Sequence, residues 1–170
     1  MRMKAFVLAS GTVLGLTASA YATNIDITNV RVPYGLYGVV LTGGDLPGSS
    51  PYSVYLTGEI VLTTQYGALA TWCVDLFHDI DLGGSYVYTT LPLTTDNDGT
   101  MPSNSAPLTT QQIDDIGYFV TIGTAEMNAD PSNDLSAAIQ AAIWQVEYGT
   151  TASYSGDTGF ATTWRLSTSC

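Results

Sequence analysis

The sequence predicts an α+β domain in which the strands come first and the helices follow. The chain has 170 residues, of which 45% are hydrophobic, and this suits one globular domain rather than two. Apolar and polar residues alternate in the first half, whereas two later segments have a helical period. Strands followed by helices are typical of α+β folds rather than of βαβ units.

The predicted strands occupy the region between residues 24 and 93. "NIDITNVRVPYGLYGVVL" indicates two short strands that are interrupted at Pro33 and Gly35. "YSVYLTGEIVLTT" alternates throughout and predicts one half-buried strand, kinked at Gly58. "ALATWCVDLF" predicts a strand that contains Cys73, and "GGSYVYTTLPL" predicts another after a Gly-Gly turn.

Two helices are predicted after the polar loop that ends near residue 107. Thr109 and Gln112 have the spacing of a capping box at the start of the first helix. For the second helix, "LSAAIQAAIWQVEY", we expect Asn133 or Asp134 to be the N-cap and Gly149 to end the helix. Its apolar stripe consists of Leu135, Ile139, Ala142, Ile143 and Val146.

The N-terminus has the pattern of a secretory signal peptide. Arg2 and Lys4 precede a short apolar run, and small residues follow it at Ala18, Ala20 and Ala22. We therefore expect a signal peptide over residues 1–22, a domain over 23–160 and a polar tail over 161–170. The tail could be the start of a longer segment that has been truncated. The expected localisation is secreted or at the cell surface.

The expected mature chain is strongly acidic. Beyond the signal peptide, Arg31 and Arg165 are its only basic residues besides His78, against 15 acidic residues, and it contains no lysine. Because phosphates would be repelled, nucleic acid is an unsuitable partner. The absence of lysine has two explanations. The exported proteins of the source could be acidic in general, or lysines could be excluded because their amines would attack a reactive group.

Gln140 lies at the border of the apolar stripe of the second helix, among small residues and one turn before Trp144. A buried amide without a partner costs roughly 1–3 kcal/mol, so a partner is expected. Ser136 or a backbone group of a neighbouring strand is one candidate. Cys73 is the other, because its thiol can attack the Gln140 carboxamide, expel ammonia and leave an internal thioester.

"TWCVDLF" and "IQAAIW" together resemble the motifs of the thioester domains of bacterial surface proteins. The first motif corresponds to Trp72, Cys73, Val74 and Asp75, and the second to Gln140, Ala142, Ile143 and Trp144. Ile139 and Trp72 depart from the residue types that are usual in the family. From about residue 54 to 160 the chain also resembles exported PEP-CTERM-type proteins, although the sorting segment of that group does not follow residue 160.

The resemblance implies that the domain over 23–160 is a thioester-type domain, a β-rich barrel or sandwich with two or three helices packed against it. It also implies a thioester between Cys73 and Gln140, with Trp72, Asp75, Ala142 and Trp144 in support. Such a protein is an adhesin rather than an enzyme, because the bond is consumed when an amine of a partner attacks it. Expected partners are a lysine-bearing surface or matrix protein, or a polysaccharide.

Several alternatives stay open on sequence alone. The domain could be a non-reactive extracellular matrix or carbohydrate-binding module in which Cys73 and Gln140 only pack. A disulfide between Cys73 and Cys170 is the default for an oxidising compartment. Asp75 and His78 could assist the reaction or form a solvated turn. No catalytic residue, metal site or cofactor is predicted.

Overall fold

The computed structural model describes residues 24–35, 37–43, 53–74, 76, 81–89, 108–149 and 151–153. The signal peptide predicted over residues 1–22 and the tail predicted over 161–170 lie outside these residues. So do Asp75, His78 and Cys170.

The described residues form an α+β fold, as the sequence predicts, with seven strands and two helices. The strands are β1 (Asn24–Arg31), β2 (Tyr37–Thr42), β3 (Ser53–Thr57), β4 (Ile60–Thr64), β5 (Gly67–Thr71), β6 (Tyr86–Thr89) and β7 (Thr151–Ser153). The helices, α1 (Thr110–Ala129) and α2 (Asn133–Tyr148), lie between β6 and β7 in the chain.

The strands belong to two antiparallel sheets. One sheet has the order β5-β4-β1-β6, and the other has the order β3-β2-β7. Within the described ranges the two sheets remain separate, and neither closes into a barrel. The smaller sheet therefore contains strands from both ends of the domain, since β7 comes directly after α2.

The segment predicted as a single kinked strand forms β3 and β4, which lie in different sheets. At the end of β3, the Thr57 hydroxyl donates to the carbonyl oxygen of Tyr37 at 2.9 Å. Two residues later, the Glu59 N–H donates to Ser136 Oγ on α2 at 2.6 Å. The single-strand prediction was wrong because the apolar alternation continues across Gly58 while the hydrogen-bonding partner of the backbone changes.

Both helices have well-formed ends. Thr109 and Gln112 form the predicted capping box of α1. The N-cap of α2 is Ser132, whose hydroxyl accepts from the Leu135 N–H at 3.1 Å, so the prediction of Asn133 or Asp134 was wrong by one or two residues. Gly149 ends α2 in the left-handed conformation, as predicted. In the described part of the chain, neither helix is long and apolar enough to cross a membrane.

Helix α2 lies between two apolar clusters, each with buried residues from several elements. The helix cluster consists of Trp72, Val74, Leu108, Ile116, Val120, Met127, Ile139 and Ile143. The sheet cluster consists of Val39, Leu41, Ala137, Ala138, Ala141, Trp144 and Tyr148. Because α2 is covered on both sides, a polar side chain on it needs a protein partner.

The two helices approach each other closely at Gly123 of α1. A Cβ atom at this position would lie 2.7 Å from Ile139 Cγ2 and 2.8 Å from Cδ1. The β-branched Ile139 has little freedom to turn away in a helix. Gly117, two turns earlier in α1, would place a Cβ in open space.

We predict that Gly123→Ala and Gly117→Ala have opposite effects on the free energy of unfolding. Gly123→Ala should lower it by about 1–2 kcal/mol, because overpacking outweighs the gain in helix propensity. Gly117→Ala should raise it by about 0.5–1 kcal/mol. Urea denaturation measures both, and an equal rise in the two variants would contradict the close packing at Ile139.

Candidate functional site

Four side chains form one row along α2, each four residues after the last: Ser136, Gln140, Trp144 and Tyr148. All four are buried. Three of them, Ser136, Gln140 and Tyr148, bind backbone groups of segments outside the helix. The row therefore connects α2 to the chain between β3 and β4 and to the chain after β5.

The central contact of the row joins Gln140 to Cys73. The Cys73 N–H donates to Gln140 Oε1 at 2.8 Å, and Gln140 Nε2 donates to the Cys73 carbonyl oxygen at 2.5 Å. The carboxamide thus pairs with both backbone groups of one residue, and Gln140 is 1% exposed. The partner is therefore a backbone, as one of the two predictions has it, and that backbone belongs to Cys73. The Ser136 hydroxyl binds the Glu59 N–H instead, and the reaction with the Cys73 thiol stays a prediction.

Cys73 lies two residues beyond β5 rather than inside a strand, which corrects the strand prediction for this segment. β5 ends at Thr71, whose hydroxyl donates to the carbonyl oxygen of Ile60 at 2.9 Å. Trp72 and Val74 then pack into the helix cluster, whereas Cys73 and Leu76 pack against the sheet cluster. Trp72, Cys73 and Val74 thus alternate between the two clusters as in an extended chain, with α2 side chains in place of a neighbouring strand, whereas Leu76 departs from this alternation.

Tyr148 holds the same segment further along. Its hydroxyl accepts from the Leu76 N–H at 3.0 Å and donates to the Val74 carbonyl oxygen at 3.1 Å. The tyrosine ring is buried in the sheet cluster. The stretch from Cys73 to Leu76 is therefore attached to α2 at two points that lie eight residues apart in the helix.

Glu59, whose N–H binds Ser136 one turn before Gln140, is a buried acidic residue. Glu59 is 6% exposed, and its N–H is bound by the Ser136 hydroxyl. Burial raises the pKa of the Glu59 carboxyl, because the charged form loses its hydration. Sequence patterns gave no sign of this group, since Glu59 falls on the polar side of the β3–β4 alternation.

The predicted supporting residues have different surroundings. Trp72 is buried in the helix cluster, and Trp144 is buried in the sheet cluster, where Tyr55 meets its ring edge to face at 5.9 Å between centroids. Ala142 is buried in α2. Asp75 lies outside the described residues, so its predicted role stays a prediction.

Tyr148 and Glu59 are site residues that the sequence predictions did not include, and Ser136 was predicted only as a partner of Gln140. The signal that identifies Ser136 and Tyr148, once Gln140 is taken as the reference, is their spacing of four and eight residues from it along the helix. Within the described ranges, no group of three or more His, Cys, Asp or Glu side chains lies close enough together to hold a metal ion.

Comparisons of this chain with protein-family models, with curated proteins and with solved structures found no match.

We predict that Gln140→Glu destabilises the fold in a Cys73→Ala background, which keeps the backbone pair and removes the thiol. The new carboxylate would accept from the N–H at position 73 but would face the carbonyl oxygen without a donor. The free energy of unfolding should fall by about 2 kcal/mol or more at neutral pH. Part of it should return at acidic pH, where the protonated carboxyl can donate.

Gln145→Glu is the matched control, because Gln145 is a half-buried residue of the same helix. Its effect should stay within about 0.5 kcal/mol. Equal losses for the two variants in denaturant titrations would show that the Gln140–Cys73 pair contributes nothing specific.

Proposed function

We propose that this is an exported surface or matrix protein whose Cys73 and Gln140 form an internal thioester, through which it attaches covalently to amine groups of a partner. The observation that carries the proposal is the two-point pairing of the Gln140 carboxamide with the Cys73 backbone. The sequence resemblance to bacterial thioester domains points to the same two residues.

The pairing supports a near-attack arrangement of the two side chains. The N–H and C=O of one extended residue point to the same side, and its Cβ projects out of the plane that they define. In the proposed reaction the Cys73 thiol would approach from a face of the Gln140 carboxamide, the direction from which a nucleophile adds to a carbonyl carbon. A fixed geometry of this kind favours a reaction that is slow between free groups.

The hydrogen bond from the Cys73 N–H to Gln140 Oε1 also favours the chemical step. Addition of sulfur to Gln140 Cδ places negative charge on Oε1, and the Cys73 N–H already donates to that atom at 2.8 Å. When the tetrahedral intermediate collapses, the C–N bond breaks and the thiol proton leaves on nitrogen as ammonia. The products are a thioester between Cys73 Sγ and Gln140 Cδ and one free ammonia.

Coupling to a partner is the reverse reaction with a different amine. The nitrogen of a primary amine attacks Gln140 Cδ, an amide forms, and Cys73 regains its thiol and proton. The acidic character of the chain favours an approach by cationic, amine-bearing partners. With its only lysine at position 4, inside the predicted signal peptide, the rest of the chain offers no side-chain amine for self-coupling.

A second candidate function is supported by the same contact. Both polar atoms of the Gln140 carboxamide are paired with Cys73, so the burial of Gln140 is explained without any covalent bond. In that case the domain is a non-reactive matrix or carbohydrate-binding module. A closed thioester that never meets an amine would also brace the fold, since a cross-link across 67 residues contributes about 4 kcal/mol by the loop-entropy argument.

We predict that the intact mass of the purified exported chain falls below its sequence mass by one ammonia. Methylamine should then add to the protein one molecule for one, with the adduct on Gln140 in peptide mapping and a newly titratable thiol on Cys73. Both effects should vanish in Cys73→Ala and in Gln140→Ala.

Intact masses measured with and without a reductant, and with and without methylamine, separate the alternatives. A mass deficit of two hydrogens that a reductant reverses identifies a disulfide instead. A chain that carries its full sequence mass and does not take up methylamine would favour the non-reactive module.

A further inference from the structure

The chain after β5 is held in an unusual way. β5 ends at Thr71, yet Trp72, Cys73 and Val74 continue to alternate between the two clusters. Their described backbone contacts come from two α2 side chains, Gln140 at Cys73 and Tyr148 at Val74 and Leu76. The position of the Cys73 side chain therefore depends on both attachments.

The Gln140 pair alone leaves one motion open. Two hydrogen bonds to a single residue define an axis, and the peptide plane can still tilt about that axis. A tilt moves Cβ, and with it the sulfur, away from the face of the carboxamide. A second attachment point further along the chain is needed to stop this motion.

Tyr148 supplies that attachment point. Its hydroxyl binds on both sides of residue 75, as an acceptor from the Leu76 N–H and as a donor to the Val74 carbonyl oxygen. The ring is 2% exposed and packs with Val39 and Leu41 of β2, so the hydroxyl has little freedom to move. On the other side of Cys73, the Thr71 hydroxyl binds the Ile60 carbonyl oxygen.

We propose that Tyr148 is a positioning residue for the condensation of Cys73 with Gln140. The inference rests on the proposed function and extends it to a residue that the thioester motifs do not contain. The described hydrogen bonds of the hydroxyl go to the Val74 carbonyl oxygen and the Leu76 N–H. The hydroxyl acts through the backbone of residues 74 and 76, and it keeps the thiol over the carboxamide while ammonia leaves.

Tyr148→Phe tests the role, because it removes the hydroxyl and keeps the ring in the sheet cluster. The full chain is isolated unfolded before the bond has formed and is then refolded under reducing conditions, and ammonia loss is followed by intact mass. We expect the rate to fall roughly tenfold or more, since a small misplacement of reacting groups costs factors of this size. Tyr55→Phe is the control, because Tyr55 contacts α2 through Trp144 and does not bind the Cys73 segment.

Hydrogen exchange in a Cys73→Ala background gives a readout that does not need the reaction. Tyr148→Phe should speed exchange of the amides at positions 73 and 76, while Tyr55→Phe should leave them unchanged. Both variants should remain folded under these conditions, so that a slower condensation reports the position of the thiol rather than a loss of folded protein.

The outcomes separate this proposal from the proposed function. Ammonia loss at the same rate in the parent, Tyr148→Phe and Tyr55→Phe would overturn the role of Tyr148 and leave the thioester intact. Unchanged exchange at positions 73 and 76 would overturn it as well. A parent chain that loses no ammonia on refolding would instead overturn the thioester function itself, and with it the role of Tyr148 in that reaction.

Discussion

The site depends on one constraint, which is that the carboxamide of Gln140 is buried and must be paired. It finds both a donor and an acceptor in the backbone of Cys73. A leucine at this position would fill the space but would form no hydrogen bond to the Cys73 backbone. A glutamate would lack the donor that the Cys73 carbonyl requires. The glutamine therefore determines which residue lies against α2 and in what orientation.

Helix α2 can impose this constraint because it is enclosed. One side faces α1 through Ile139 and Ile143, and the other faces the small sheet through alanines that let the strands come close. Polar side chains in such surroundings must be satisfied within the protein. Ser136 binds the backbone between β3 and β4, whereas Gln140 and Tyr148 both bind the backbone after β5. The contacts that stabilise the fold thus also bring the backbone of Cys73 to the Gln140 carboxamide.

The sequence predicted the α+β class, the capping box at Thr109 and the glycine end of α2, because each depends on local residue types and spacing. It could not predict where β5 ends. The alternation continues through Trp72 and Val74 since both sides of this segment are buried, one by α1 and α2 and the other by the small sheet. Periodicity records burial and does not record which element supplies the hydrogen bonds.

The same limit explains the other differences. The alternation across Gly58 looked like one strand, although β3 and β4 belong to different sheets. Ser132, Asn133 and Asp134 are all good N-caps, and local sequence does not choose among them. The family resemblance and the chemistry of a thiol and a carboxamide linked Cys73 to Gln140. The contacts of Tyr148 could not be predicted from the sequence, because they depend on the path of the chain after Cys73.

The most direct test of the central claim is the carbon NMR spectrum of the folded, exported chain labelled with ¹³C at the glutamine side-chain carbonyl. We expect one resonance far downfield of the others, in the region of thioester carbonyls. It should be absent in Cys73→Ala and should move to the amide region after methylamine. A spectrum in which every glutamine carbonyl of the untreated folded protein lies in the amide region would contradict the account.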